Sequence, residues 1–195
     1  MTKSELRKLV KNRISLLSDQ EKETASQKCS LDLIQKKEFL EADVVLSYMA
    51  MENEIDPLHA SQTALMSGKI LALPRCTPNS NQMEFHYIRN DIPLESQIEK
   101  GMWGIMEPKI GLPSVELEKL SGKKVLLIVP GVAFSLNGDR LGHGAGYYDA
   151  YISRMKKICG INLFTLGICF SCQLVDDVPQ EEHDIKIDSV IYSSL

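Results

Sequence analysis

No stretch of this 195-residue chain is apolar for long enough to cross a bilayer as a helix, which excludes a membrane-spanning helical protein. An excess of basic residues is also missing. Lys and Arg number 22 against 26 Asp and Glu, so the chain lacks the basic surface of a general nucleic-acid binder. The opening Met-Thr-Lys-Ser-Glu-Leu-Arg has no apolar segment of the kind a secretion signal needs, and a cytoplasmic location is expected. Cysteines are few and odd in number; five in such a chain suggest reduced thiols. Cys169 and Cys172 have redox or zinc spacing, but a second pair is missing, so they read as core thiols without a metal. Repeats, linkers and low-complexity tracts are absent. So are a Walker loop, which ends in Gly-Lys-Ser/Thr, and the glycine spacing of the dinucleotide fingerprint.

What is present is one α/β pattern, expected to form a single layered domain over residues 1–195, with a mostly parallel or mixed sheet flanked by helices. Thr2-Lys-Ser-Glu5 and Ser18-Asp-Gln-Glu21 fit the capping box, so two helices open the chain. The first carries Leu6, Leu9, Val10, Ile14 and Leu17 inward and Lys3, Arg7 and Lys11 outward. Asp56-Pro57 starts a third helix that Gly68 stops. Strands are expected at 42–49, 69–73, 83–88, 124–129, 163–170 and 189–192, with a last helix over 146–157. Residues 90–122, holding Pro93, Pro108 and Pro113, read as a long irregular excursion.

Chemistry concentrates at Asn137-Gly-Asp-Arg-Leu-Gly-His-Gly-Ala-Gly-Tyr-Tyr-Asp149, directly after the apolar run 125–129. Gly142, Gly144 and Gly146 let successive backbone N–H groups face one concavity, because no Cβ opposes positive φ. Such a nest binds anions, and a helix beginning at its end adds a positive dipole terminus. Arg140 offers a planar charged fork to phosphate, and Asp149 offers hard oxygens to magnesium. Three glycines alone would be a plain turn between strand and helix; the arginine and the Tyr147-Tyr-Asp149 tail are what a plain turn has no use for. Ligands of open α/β sheets collect beyond the carboxyl ends of the strands, where this loop, residues 49–54 and Pro74-Arg75 all fall.

These residues resemble the 5-formyltetrahydrofolate cyclo-ligase family. The specific match is Pro130-Gly-Val-Ala-Phe followed by Arg140-Leu-Gly-His-Gly-Ala-Gly-Tyr-Tyr-Asp149. Lys3-x-x-x-Arg7, Met51-Glu-Asn-Glu-Ile55, Leu73-Pro-Arg75, Trp103-Gly-Ile-x-Glu-Pro108 and Glu182-His-Asp-Ile-Lys-Ile-Asp188 agree in order. The resemblance implies ATP- and Mg²⁺-dependent cyclisation of 5-formyltetrahydrofolate to 5,10-methenyltetrahydrofolate, with release of ADP and phosphate through a phosphorylated formyl oxygen. Carried over by position, it implies ATP contacts from Lys3, Arg7 and Arg140, Leu141, Gly142, His143, Gly144, Ala145, Gly146, Tyr147 and Tyr148. It implies folate contacts from Met49, Glu54 and Trp103, shared with His143, Gly144, Ala145, Gly146 and Tyr147. Asp149 and Asp184 resemble the magnesium ligands, and Arg140, Tyr147 and Asp149 the catalytic residues. The implied partners are reduced folate and ATP, without nucleic acid or membrane, and a monomer is expected.

Each assignment has a plainer reading. Lys3 and Arg7 alone are a solvated helix face, residues 181–184 an acidic surface turn, Glu54 a surface carboxylate and a lone Trp a core residue. Arg75 could meet either a folate carboxylate or a phosphate. The chain also departs from the family at Ser135, where Asp is usual, at Ala145, and at His143, where members vary. Ser135 is expected to cap the turn at 136–139, with Ser135→Asp changing stability by no more than ~1 kcal/mol. Two other functions stay open: a non-catalytic folate- or nucleotide-binding relative, for which Ser135 is the only support, and a sugar-phosphate isomerase of similar architecture.

Overall fold

The structure is a computed structural model, and it describes residues 1–77, 80, 82–101 and 104–193. Its centre is a six-stranded sheet. In chain order its strands are β1 (Val44–Leu46), β2 (Ile70–Cys76), β3 (Met83–Ile88), β6 (Lys124–Val129), β9 (Asn162–Phe170) and β10 (Ser189–Ser193). Across the sheet they run β10-β9-β6-β1-β2-β3, all parallel except β3, which is antiparallel to β2. Two small ribbons stand apart: β4 (Ile98–Lys100) with β5 (Met106–Pro108), and β7 (Ala133–Phe134) with β8 (Arg140–Leu141). Residues 90–122 are therefore more ordered than the sequence suggests, because the β4–β5 ribbon lies within them.

Both faces of the sheet are covered, which is why its central strands read as continuous apolar runs rather than alternating ones. Along β6, Leu126 and Ile128 join one core while Val125, Leu127 and Val129 join the other. The first core receives α1 (Lys3–Ile14), α2 (Asp19–Ile34), α3 (Lys37–Glu41) and α4 (Leu58–Met66) through Leu6, Val10, Cys29, Leu33, Phe39 and Ala60. The second receives α5 (Tyr147–Lys156) through Tyr151, Ile152 and Met155. Leu126 and Leu127, 1% and 0% exposed, each contribute roughly 1.5–3 kcal/mol by leaving water.

The helix starts follow from local chemistry. Thr2 Oγ1 accepts the Glu5 N–H at 3.2 Å, and the Glu5 carboxylate accepts the Thr2 N–H at 2.7 Å. Ser18 and Glu21 repeat the arrangement at 3.3 and 2.8 Å. Asp56 Oδ1 accepts the Leu58 N–H at 2.9 Å, while Gly68, at φ +76°, ends the turn after α4. One expected helix-face assignment changes: Leu9 is exposed, and Lys3 and Arg7 turn toward another part of the protein.

Chain order across the sheet decides where a ligand goes. From β1 the chain moves outward on one side to β2 and β3, then crosses to β6, β9 and β10 on the other. The direction reverses between β1 and β6, and the carboxyl ends of two such strands leave a crevice. Beyond β1 lie residues 49–54. Beyond β6 lie Pro130 and the glycine-rich loop.

Candidate active site

A cleft of about 960 Å³ opens at that reversal. Among the residues lining it are Lys3, Arg7, Met49, Glu54, Asp184 and every residue from 140 to 149. Segments far apart in sequence thus meet as the sequence analysis expects, and the solvated-face reading of Lys3 and Arg7 fails. Trp103 lies outside the described residues. Arg75 Nη1 donates to Glu99 Oε1 at 3.0 Å and to the Pro108 carbonyl, clamping the β4–β5 ribbon onto β2.

The glycine loop works differently from expectation at its first half. Asp139, Arg140 and Leu141 are buried, and Leu141 belongs to the core. Gly144 and Gly146 have φ of +113° and +71°, the left-handed values a nest requires. Gly142 does not; it is needed for space, because a Cβ there would stand 2.8 Å from Arg140 Nη1. The helix α5 starts directly after Gly146, and its first turn, with the positive end of its dipole, lines the same cleft.

Arg140 is also turned away from its expected role. Its side chain is 4% exposed, Nη2 donates to Asp149 Oδ2 at 2.8 Å and Nη1 to the Pro130 carbonyl at 3.2 Å. A guanidinium so engaged fixes Asp149 rather than offering a free fork to phosphate. Asp149 Oδ1 accepts the Ile185 N–H at 3.2 Å, which aims the carboxylate and ties the loop to the carboxyl-terminal segment. The accessible positive charge comes from α1 instead. Arg7 Nε donates to the Gly142 carbonyl at 2.9 Å, and its guanidinium lies beside Gly144. Lys3 Nζ lies 2.6 Å from Asp184 Oδ2 and 3.0 Å from Glu181 Oε2. Burial opposes its charge, but bonds to Asp184 and Glu181 outweigh it and raise the Lys3 pKa above its ordinary value. Burial likewise works against the Asp184 carboxylate, and bonds from Lys3 and the Glu181 N–H hold its pKa below the usual range.

The donors for a metal extend beyond Asp149 and Asp184. Glu181, His183 and Asp184 offer ligand atoms within 4.8 Å of one another, and Asp149 lines the same cleft. Carboxylate oxygens suit magnesium, which takes one or two of them and completes its shell with water and phosphate oxygens. The donor set fits that ion, with His183 as its poorest member. Glu181 and His183 escape sequence reading because 181–184 looks like any acidic turn.

Tyr147 and Tyr148 open α5 at the cleft. Burial raises the pKa of both hydroxyls above the ordinary phenol value. Tyr147 Oη donates to the Ser80 carbonyl at 3.3 Å. Across the cleft, Glu54 is held by its own loop: Met51 N–H donates to Oε2 at 3.0 Å, and Tyr48 Oη bonds the Ile55 carbonyl at 2.7 Å. His143 Nε2 reaches Glu54 Oε1 at 2.9 Å. Met49, Met51, Pro74, Met83, Ile105 and Met106 line this side and give it an apolar, adaptable wall.

Ser135 is remote from this chemistry. It is 1% exposed and absent from the cleft lining; its Oγ donates to Asp139 Oδ2 at 3.0 Å and accepts the Asp139 N–H at 3.2 Å. Lys186 Nζ stands 2.8 Å from Asp139 Oδ1. Serine is the cap of the 135–139 turn, and this removes the one support for an inactive relative. Cys169 is buried with a free thiol, as expected of a core residue. Among the described residues no helix is long and apolar enough to cross a membrane.

Fold and cleft together define a class: a three-layer α/β protein with a glycine-rich loop facing a partly apolar pocket across a strand-order reversal. The sequence model of the 5-formyltetrahydrofolate cyclo-ligase family matches residues 1–193. A 5-formyltetrahydrofolate cyclo-ligase of Mus musculus is 29% identical over 188 residues, covering 96% of this chain and 91% of its own. A probable 5-formyltetrahydrofolate cyclo-ligase of Caenorhabditis elegans is 30% identical over 193 residues, covering 97% and 92%. The solved 5,10-methenyltetrahydrofolate synthetase of Aquifex aeolicus superposes with a TM-score of 0.77 at 29% identity, covering 98% of this chain and 90% of that one. That of Mycoplasma pneumoniae, at 20% identity, shares the fold with a TM-score of 0.72 over 98% of both chains. The chain belongs to the 5-formyltetrahydrofolate cyclo-ligase family and is an enzyme of that class.

Proposed function

We propose that this enzyme converts 5-formyltetrahydrofolate to 5,10-methenyltetrahydrofolate, consuming ATP and releasing ADP and phosphate. The observation that carries this reading is the single cleft with two unlike walls: an anion nest with Lys3 and Arg7 on one side, Glu54 among methionines on the other. A triphosphate fits the first wall and a pterin the second. Glu54 has lone pairs left for the amino-pyrimidine N–H donors of a pterin after Met51 and His143 have taken their share.

An N-formyl oxygen is a poor leaving group, and this dictates the sequence of steps. The formyl oxygen attacks the γ-phosphorus of ATP, the bond to ADP breaks, and an activated phosphorylated formyl group results. The neighbouring folate nitrogen then attacks the formyl carbon, loses its proton, and phosphate departs with the former formyl oxygen. Phosphoryl transfer of this kind depends mostly on positioning and charge neutralisation. The N–H groups of residues 142–147 cradle phosphate, Arg7 and Lys3 spread its charge, and Tyr147 stands at the boundary of the two walls. Arg140 holds Asp149 in place. Asp149, Asp184 and Glu181 would hold Mg²⁺, whose chemistry is to neutralise phosphate charge. The test is phosphate release by the purified protein. It is expected only with ATP, Mg²⁺ and 5-formyltetrahydrofolate together; methenyl-folate formation that survives a chelator or omission of ATP refutes the reading.

A further inference from the structure

His143 belongs to neither wall alone. Its backbone sits in the nest, between Gly142, whose carbonyl is bonded by Arg7, and Gly144 at φ +113°. Its ring crosses the cleft to Glu54, a residue 89 positions away, at 2.9 Å. A carboxylate only accepts, so Nε2 is the donor of this bond. Glu54 is 6% exposed in its side chain and already takes the Met51 N–H on its other oxygen, so the His143 bond fixes the second oxygen and completes its orientation. It is a direct side-chain bond from the glycine loop to the 49–55 loop.

We propose that His143 is a positioning residue that couples the two substrates. The inference rests on the function proposed above. A triphosphate settling on the nest fixes residues 142–146 and with them the imidazole; the imidazole fixes Glu54 in the orientation that receives a pterin. By reciprocity, a pterin on Glu54 steadies the loop that receives the triphosphate, so each ligand tightens the other by the same factor. Without the ring, Glu54 keeps its bond to Met51 but loses its tie to the loop, and the two walls bind independently.

The test is isothermal titration of 5-formyltetrahydrofolate into the full-length protein, with and without a saturating non-hydrolysable β,γ-imido analogue of MgATP. The wild-type Kd is expected to fall by about fivefold or more when the nucleotide is present. In His143→Ala that ratio is expected to drop to within about twofold of unity, while His143→Gln, whose side-chain amide can donate to Glu54, keeps most of it. A merely structural histidine would move either Kd without moving their ratio. An unchanged ratio in His143→Ala overturns the inference, as does an equal loss in the Gln variant or a wild type that binds both ligands without coupling. A wild type that binds neither folate nor nucleotide overturns the proposed function and this inference with it.

Discussion

The two walls of the cleft are built on opposite plans. The loop wall is a mesh of charges that satisfy one another: Arg140 with Asp149, Lys3 with Asp184 and Glu181, Arg7 with the Gly142 carbonyl. The wall opposite, formed by the 49–55 loop with Met83, Ile105 and Met106, is rich in methionine and holds the buried carboxylates of Glu54 and Glu107. The proposed function gives the difference a reason. A wall that must receive several negative charges and a cation needs prearranged groups whose neighbours are already oriented, because reorienting them during reaction costs catalysis. A wall that must receive a flat, largely apolar ring needs surface and a few fixed acceptors.

The harshest way to break this comparison is Asp149→Asn. It keeps the shape of the side chain but removes the charge that faces Arg140 and that the proposed function gives to a metal. We expect kcat to fall by about a hundredfold or more while the protein remains folded, checked by steady-state kinetics and circular dichroism. A kcat within about threefold of wild type at saturating Mg²⁺ would show that the loop wall is scaffolding rather than chemistry.

A paired measurement sharpens the comparison further. Glu54→Gln is expected to raise KM for the folate by about tenfold, the weight of a hydrogen bond to a charged acceptor, with a smaller effect on KM for ATP. Arg7→Ala is expected to do the reverse, raising KM for ATP several-fold. Crossed results, with Glu54 governing ATP and Arg7 the folate, would mean that the two walls have been assigned the wrong way round.

The mildest effect on the cleft is expected from Ser135→Asp. Sequence alone suggests an almost neutral change, but the structure puts the new carboxylate against Asp139, in a buried turn where an O–H now donates at 3.0 Å. Two facing carboxylates sharing Lys186 should cost about 1–3 kcal/mol, read as a lowered Tm, with kcat and the Mg²⁺ requirement unchanged. Loss of activity without loss of stability would place the turn inside the catalytic machinery after all.

How much of this was legible in the chain depended on the range of the interaction. The starts of α1 and α2 were readable because a capping box is written within four residues, and β6 because five buried residues run together. The five-residue helix α3 escaped, having no side-chain cap, as did the two-residue strands β7 and β8. The direction of β3 could not be read either, since alternation looks the same in both orientations. That these segments meet at one cleft was legible through the family motif, but which side chains bond to which was not. Nothing local says that Arg140 turns inward to Asp149, or that Glu181 and His183 join Asp184, because those outcomes are set by where β6, α5 and the carboxyl-terminal segment meet.

The reversal of strand order between β1 and β6 has one more consequence, for traffic through the cleft. Both walls spring from neighbouring strands in the middle of the sheet, paired in register from Val44 with Val125 to Leu46 with Leu127. The jaws therefore share a single rigid hinge plate and do not swing apart without breaking the sheet. The rim of the cleft is completed by peripheral pieces instead, the first turn of α1 and the β4–β5 ribbon.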